Sequence, residues 1–317
     1  MPSLFATHPR FAIFSGVNIL IILLLLASQR TPHIFTTYTG GTTPVLAQTG
    51  SIYADRVAVA EAAYQRSVLK RNAYMEKLGN DITAWPKLEK LPNLYTLWDF
   101  FLPAFQCPRE TARVGTLGDG GKWTCGMSSI AQLPSCVVYS VGINGESSFE
   151  AEIIETTNCE VWGYDYSVDK FGPEIDEFPK LKARSHFFPY ALGGKDDHGP
   201  GANPPFYTLP TLMKMNGHTF IDVLKIDIEG FEFELLTDLL KHYDGKPLPF
   251  GQLQLEIHSW SKSFEEFLAW WRALEAAGLR PFWTEPNLVY LNLFRGHAPD
   301  LSEYAFLNIL GNHTVIS

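Results

Sequence analysis

The hydrophobic pattern changes character several times along the chain. Residues 11–27 carry no charge, contain an unbroken aliphatic stretch at 19–26 and are bounded by Arg10 and Arg30. That is the minimum length for a membrane span. Cleavage after Ala27 would put Leu25 where a signal peptide wants a small residue, so the run reads as an uncleaved transmembrane signal anchor with residues 1–10 as a cytoplasmic tail. Residues 28–53 are rich in Thr, Gly and Pro without apolar periodicity, the composition of a stalk. In the segment 54–97, Val57, Ala60, Tyr64, Val68, Met75 and Leu78 recur at helical spacing until Gly79-Asn80, which predicts a stem helix that either self-associates or rests on the domain. A proline-punctuated linker follows, and the folded domain is expected over 98–317.

Within that domain, short apolar runs at 135–141, 161–165, 186–191, 221–228 and 252–258 read as strands, and helical patterns lie between several of them. Residues 231–240 continue the fourth run as a helix. Ser263-Phe264-Glu265-Glu266 is a capping box opening another, in which Phe264, Phe267, Leu268, Trp271 and Leu274 share one face before Gly278 ends it. This alternation predicts an α/β fold, a mostly parallel sheet with helices on both faces, whose ligands bind at the carboxyl ends of the strands.

Composition narrows the function. The chain has 317 residues, 46% hydrophobic and 19% charged, with a net charge of −9. This excludes a disordered chain and, with no basic cluster, argues against a nucleic-acid partner. Four cysteines without a C-x-x-C spacing are too few for a disulfide scaffold and give no zinc motif. With the anchor oriented as type II, the bulk of the chain is luminal, in the endoplasmic reticulum or Golgi, and Asn312-His313-Thr314 is a usable glycosylation sequon there.

Three strand ends carry candidate chemistry. In Ser140-Val141-Gly142-Ile143-Asn144-Gly145 a strand stops at glycine, as close backbone approach to a ligand requires. Asn144 and Ser147 stand where a dinucleotide fingerprint needs its second and third glycines, which disfavours an NAD enzyme. Asp165 follows Gly142 by 23 residues, close to the spacing of ~20 for an acid holding ribose hydroxyls, so the pair suggests a nucleoside cofactor. The third end, Lys225-Ile226-Asp227-Ile228-Glu229-Gly230, and its neighbour Glu256-Ile257-His258 gather carboxylates and an imidazole able to position or deprotonate an acceptor hydroxyl, or to hold a hard divalent cation. The plainer alternatives are a helix cap for the acids and a loop hydrogen bond for the histidine. No spacing of ligands demands a metal, and none is expected.

From about Cys107 onward the chain resembles class I S-adenosylmethionine-dependent methyltransferases, and among them the FkbM-type and membrane-anchored methyltransferase-like proteins. The resemblance lies in Val138-Tyr139-Ser140-Val141-Gly142-Ile143-Asn144-Gly145, Trp162-Gly163-Tyr164-Asp165-Tyr166-Ser167 and Leu224-Lys225-Ile226-Asp227-Ile228-Glu229-Gly230-Phe231-Glu232. Gly118-Asp119-Gly120-Gly121-Lys122-Trp123-Thr124-Cys125 resembles a segment of the anchored branch. The resemblance implies a Rossmann-like seven-stranded sheet with a final antiparallel strand at 303–309. It also implies S-adenosylmethionine as cofactor, held by Ser140, Gly142, Asn144, Gly145, Asp165, Tyr166, Ala191 and Leu192. The backbone around Gly142–Gly145 would receive the methionyl carboxylate and Asp165 the ribose. Asp227 becomes the candidate base or acceptor-orienting acid, with Glu229 and His258 beside it, and Asp119, Lys122 and Trp123 a lid or acceptor wall. Two residues depart from the family pattern: Ser140, where many members have an acid, and Glu146, where FkbM-type loops have glycine. In this fold Cys136 and Cys159 begin neighbouring strands and Cys107 and Cys125 bracket the glycine-rich segment, which suggests those two disulfides. The implied activity is O-methylation of a glycan or small metabolite in the secretory pathway. A non-catalytic module that keeps the fold is the alternative.

Overall fold

The computed structural model describes residues 52–86, 94–293 and 298–317. The expected tail, the anchor at 11–27 and nearly all of the stalk lie outside the described residues. Among the described residues no helix is long and apolar enough to cross a membrane.

The strands in chain order are β1 (Thr111–Val114), β2 (Lys122–Cys125), β3 (Cys136–Val141), β4 (Cys159–Tyr164), β5 (Ser185–Phe188), β6 (Ala191–Leu192), β7 (Phe206–Tyr207), β8 (Ile221–Ile226), β9 (Phe250–His258), β10 (Leu279–Pro286) and β11 (Leu301–Asn308). Seven form one sheet in the order β10-β11-β9-β8-β3-β4-β5. β3, β4, β5, β8 and β9 pair in parallel, while β11 runs antiparallel to both its neighbours, as expected for the last strand. β10 has no counterpart among the strands read from sequence, because Arg280-Pro281 interrupts its apolar run. The run at 186–191 does not form one strand either. Pro189 has no N–H to give the ladder, so β5 stops at Phe188, and Ala191–Leu192 pairs instead with β7.

The principal helices are α1 (Ile52–Leu78), α2 (Ser148–Thr156), α3 (Leu209–Asn216), α4 (Glu232–His242), α5 (Phe264–Ala276) and α6 (Leu288–Leu293). Alternation along the strands splits the core between the two faces of the sheet. Tyr139, Val141, Leu224 and Ile226 pack with Phe233 and Leu236 of α4 and with Phe267, Trp271 and Leu274 of α5. Val138, Val161 and Val223 pack with Phe149, Ile153 and Ile154 of α2 on the other side. The capping box of α5 forms as its sequence requires: Ser263 accepts from the Glu266 amide at 3.2 Å and Glu266 from the Ser263 amide at 2.8 Å.

Helix α1 packs against the folded domain. Its apolar face is the one the spacing predicts, with Ala60 and Tyr64 buried and Val57 and Val68 against the core. Polar residues on that face complete the docking. The Glu275 carboxylate on α5 accepts from the Tyr64 hydroxyl, from Arg71 at 2.8 and 3.0 Å and from the Trp271 indole at 3.0 Å, and Arg280 reaches Glu61 at 2.7 Å. Both suggested disulfides are present, Cys107–Cys125 and Cys136–Cys159, the second joining residues that are direct partners in the β3–β4 register.

From β3 the chain travels outward through β4 to β5 and then returns to β8 on the opposite side of β3. This reversal opens a crevice at the carboxyl ends of β3 and β8.

Candidate active site

The turn after β3 is shaped by what passes behind it. Gly142 has φ +84°, and a Cβ there would sit 1.8 Å from the carbonyl oxygen of Asp227, which follows β8. Only glycine allows the two strand ends to come this close. Asn144 also adopts a left-handed conformation, with φ 46°. Asp165, at the end of β4, holds this turn. One of its oxygens accepts from the amides of Ile143 and Asn144 at 2.8 Å each, and the other from the Ser167 amide and hydroxyl at 2.8 and 2.7 Å. Burial, at 8% exposure, pushes its pKa up, but the bonds from Asn144, Ser167 and Ile143 outweigh it, and the carboxyl is held below its ordinary value.

Behind the turn, Ser140 donates to Glu150 of α2, and Lys225 lies 3.5 Å from Glu150 and donates to the Gly142 carbonyl at 2.5 Å. Glu150 thus supplies from the next helix the carboxylate that Ser140 lacks. The amides at the start of α2 are paired as well, Ser147 with Glu174 at 3.1 Å and Ser148 with Glu146 at 3.0 Å.

In front of the turn is a cavity of about 610 Å³. On the β4 side its lining includes Tyr166, Tyr190, Ala191, Leu192 and Phe206, and on the β8–β9 side Asp227, Glu229, Phe231, Glu256, His258 and Trp260. Asn287, Val289 and Tyr290 complete the wall, together with Asp119, Gly120 and Lys122.

The β8–β9 side is a dense charge cluster. His258 bonds through Nδ1 to Glu232 at 2.9 Å, and the same Glu232 oxygen accepts from the Ile228 and Gly230 amides at 3.1 Å each. Burial opposes the imidazolium, yet Glu232, Glu256 and Asp227 together push its pKa up to about 9. Glu229, with φ 54° and a side chain 72% exposed, stands 3.5 Å from His258 Nε2. Burial raises its pKa, helped by Asp227 and Glu232 and opposed by His258. Buried Lys122 pairs with Glu303 and lies 4.0 Å from Asp227. Burial would raise Asp227, but Lys122, Lys225 and His258 hold it below the ordinary value. Glu256 is pushed up to about 9 by burial and by its neighbours Asp227 and Glu303, and it accepts from Asn287 at 2.8 Å.

A sequence profile for a methyltransferase domain matches residues 68–292, well over half of the chain. The chain belongs to this methyltransferase family. Its cofactor is S-adenosylmethionine. No curated protein sequence matches. Among solved structures the methyltransferase is similar to TrmK of M. capricolum in complex with S-adenosyl-homocysteine, at 9% identity over 58% of this chain and 67% of that one, with a TM-score of 0.33. It is also similar to a precorrin-6y C5,15-methyltransferase of Geobacter metallireducens, at 13% identity over 57% and 83%, TM-score 0.30. A third is an O-methyltransferase family 2 protein of Planctomyces limnophilus in complex with apigenin, at 12% identity over 55% and 50%, TM-score 0.31. Likenesses this distant carry no argument about activity.

The lining of the methyltransferase cavity suits the cofactor. Asp119, Glu146, Asp165, Asp227 and Glu229 outnumber Lys122, Lys225 and His258, a balance that favours a ligand bearing a sulfonium and an ammonium. Tyr166, Tyr190, Ala191, Leu192 and Phe206 offer the apolar surface an adenine needs. Of the residues expected to hold it, Gly142, Asn144, Asp165, Tyr166, Ala191 and Leu192 line the cavity. Ser140 and Gly145 are not part of the lining, and Ser140 is turned to Glu150. The Ile143 and Asn144 amides, expected to receive a carboxylate of the ligand, are engaged by Asp165 instead. Asp227, Glu229 and His258 come together as expected. Asp119 and Lys122 line the cavity, but Trp123 stacks on Trp283 at 4.0 Å, away from it. Glu150, Glu232, Glu303 and Asn287 had no role read from the sequence, whereas Glu256 stands in a strand end already singled out. Alternation in Glu256-Ile257-His258 puts Glu256 beside His258 and was the available signal, whereas Glu303 comes from an antiparallel strand with no motif to mark it.

Proposed function

We propose that this methyltransferase methylates a hydroxyl group of a glycan or small metabolite in the secretory pathway, as a type II protein of the FkbM-like, membrane-anchored branch. The observation that carries the reading is the meeting of Asp227, Glu229 and His258 at the cavity rim beside Trp260, Phe231 and Tyr290. Acids next to exposed aromatic faces suit a polyhydroxylated acceptor, with apolar ring faces stacking and hydroxyls bonding to carboxylates. The cofactor supplies a methyl carbon on a sulfonium leaving group. The protein orients the acceptor oxygen and takes up its proton on the Asp227–Glu229 pair, while the cavity walls limit water. Both disulfides, the exposed Asn312 of the sequon and the apolar run at 11–27 support the luminal setting.

The test is transfer of a labelled methyl group to a panel of glycans and small hydroxyl compounds by the full chain. The expected product is a methyl ether, with kcat lowered ~10²–10⁴-fold in Glu229→Gln or Asp227→Asn. A second reading, a fold retained without turnover, is favoured by the pairing of the Ile143, Asn144, Ser147 and Ser148 amides with protein carboxylates. Cofactor bound but no acceptor methylated across the panel would support it.

A further inference from the structure

The residues at the ends of β8 and β9 also meet the requirements of a cation site. Asp227, Glu229 and His258 each offer one ligand atom, and these atoms lie within 4.8 Å of one another on the cavity wall. The imidazole distinguishes this set from a patch of acids. Its side chain is 1% exposed, yet Nε2 faces the cavity, and its partner there is the Glu229 carboxylate at 3.5 Å, beyond a good hydrogen bond. The other nitrogen, Nδ1, is fixed by Glu232, which is fully buried and pinned by the amides of Ile228 and Gly230. A carboxylate behind a histidine sets the ring orientation that a metal ligand needs, and the cation displaces the Nε2 proton of the imidazolium to solvent as it binds. Glu229, largely exposed, can swing the small distance that metal–oxygen bonds of ~2.0–2.2 Å require.

We propose that Asp227, Glu229 and His258 bind one first-row divalent cation of the Mn²⁺ type, with open coordination positions facing the cavity for the acceptor's oxygens. Two carboxylates with one imidazole suit such an ion better than Ca²⁺ or Mg²⁺, which favour all-oxygen sets. The role assigned to the cation rests on the hydroxyl-methylation reading; its binding does not. A hydroxyl bound to the ion becomes more acidic, and its proton passes to the carboxylate oxygen of Glu229 that does not coordinate. An acceptor with two adjacent oxygens, such as a vicinal diol, fits two open positions.

The test uses the full chain, titrated with Mn²⁺ and followed by electron paramagnetic resonance, with S-adenosylhomocysteine titrated separately into the same preparation. One Mn²⁺ per chain is expected, with electron spin-echo modulation from a coordinated imidazole nitrogen in the unmutated protein. Affinity should fall by about tenfold or more in Asp227→Asn and in His258→Gln, whereas Glu160→Gln, an exposed acid at the opposite end of β4, retains it. A folded chain that binds S-adenosylhomocysteine but no stoichiometric Mn²⁺ overturns the cation site and leaves the methyltransferase reading standing. Mn²⁺ bound without a nitrogen signal also overturns it, and this measurement needs no variant to fold. Mn²⁺ bound with the nitrogen signal, but no S-adenosylhomocysteine bound, supports the cation and counts against the cofactor site.

Discussion

Asp165 shows how one residue serves two ends. Its four hydrogen bonds close the turn after β3 and set the shape of the cavity that the cofactor enters. Asp165→Ala leaves three backbone amides and the Ser167 hydroxyl without their acceptor, and a loss of about 3 kcal/mol of stability is expected, together with loss of S-adenosylhomocysteine binding by calorimetry. Because the folded carboxyl is held below its ordinary value of 3.8, its contribution is complete above that pH and disappears as the pH falls through the lower folded value. Cofactor binding should therefore depend little on Asp165 between pH 7 and pH 5; a steep fall in that interval would point to another group. Gly142→Ala is harsher, since it places a methyl carbon 1.8 Å from the Asp227 carbonyl at a φ of +84°. Thermal denaturation should show a loss of several kcal/mol, and cofactor binding should vanish with it.

At the scale of elements, α1 is held by more than its apolar stripe. Glu275 gathers Tyr64, Arg71 and the Trp271 indole around one carboxylate, and Arg71 is buried against it. Removing the acid strands a buried guanidinium, so Glu275→Ala is expected to cost about 3–5 kcal/mol in urea denaturation, well beyond the loss of a surface pair. A change below about 1 kcal/mol would mean that α1 docks through its apolar face alone. The helix spacing was legible because Val57, Ala60, Tyr64 and Val68 repeat at helical intervals. Its docking was not, because the partner acid lies about 200 residues downstream and nothing local marks it.

At the scale of the whole molecule, the two disulfides tie β2 to the segment before β1 and β3 to β4, close to the sheet that carries the site. If the chain is luminal in cells, Asn312, exposed near the C-terminus, is expected to carry an endoglycosidase-sensitive glycan that Thr314→Ala removes. An unshifted gel band in both would count against the luminal setting.

The apolar runs of β3, β4, β8 and β9, the glycine turn after β3, Asp165 and the acids after β8 were all legible in the sequence, because each is a local signal: a run of apolar residues ended by a residue that only a strand end requires. The capping box of α5 belongs with them, whereas the antiparallel last strand followed from the family resemblance and not from a local signal. What tertiary structure alone decided is who meets whom. Period-two geometry could not place Glu229, because β8 ends at Ile226 and the residue lies in a left-handed turn beyond it. Lys122 and Glu303 come from a hairpin and a strand far apart in the chain, yet they set the electrostatics around Asp227. The same holds for Glu150, which takes the part expected of an acid at 140. Pairing strength depends on distance and burial, and both are fixed only when the sheet closes and brings its strand ends to one crevice.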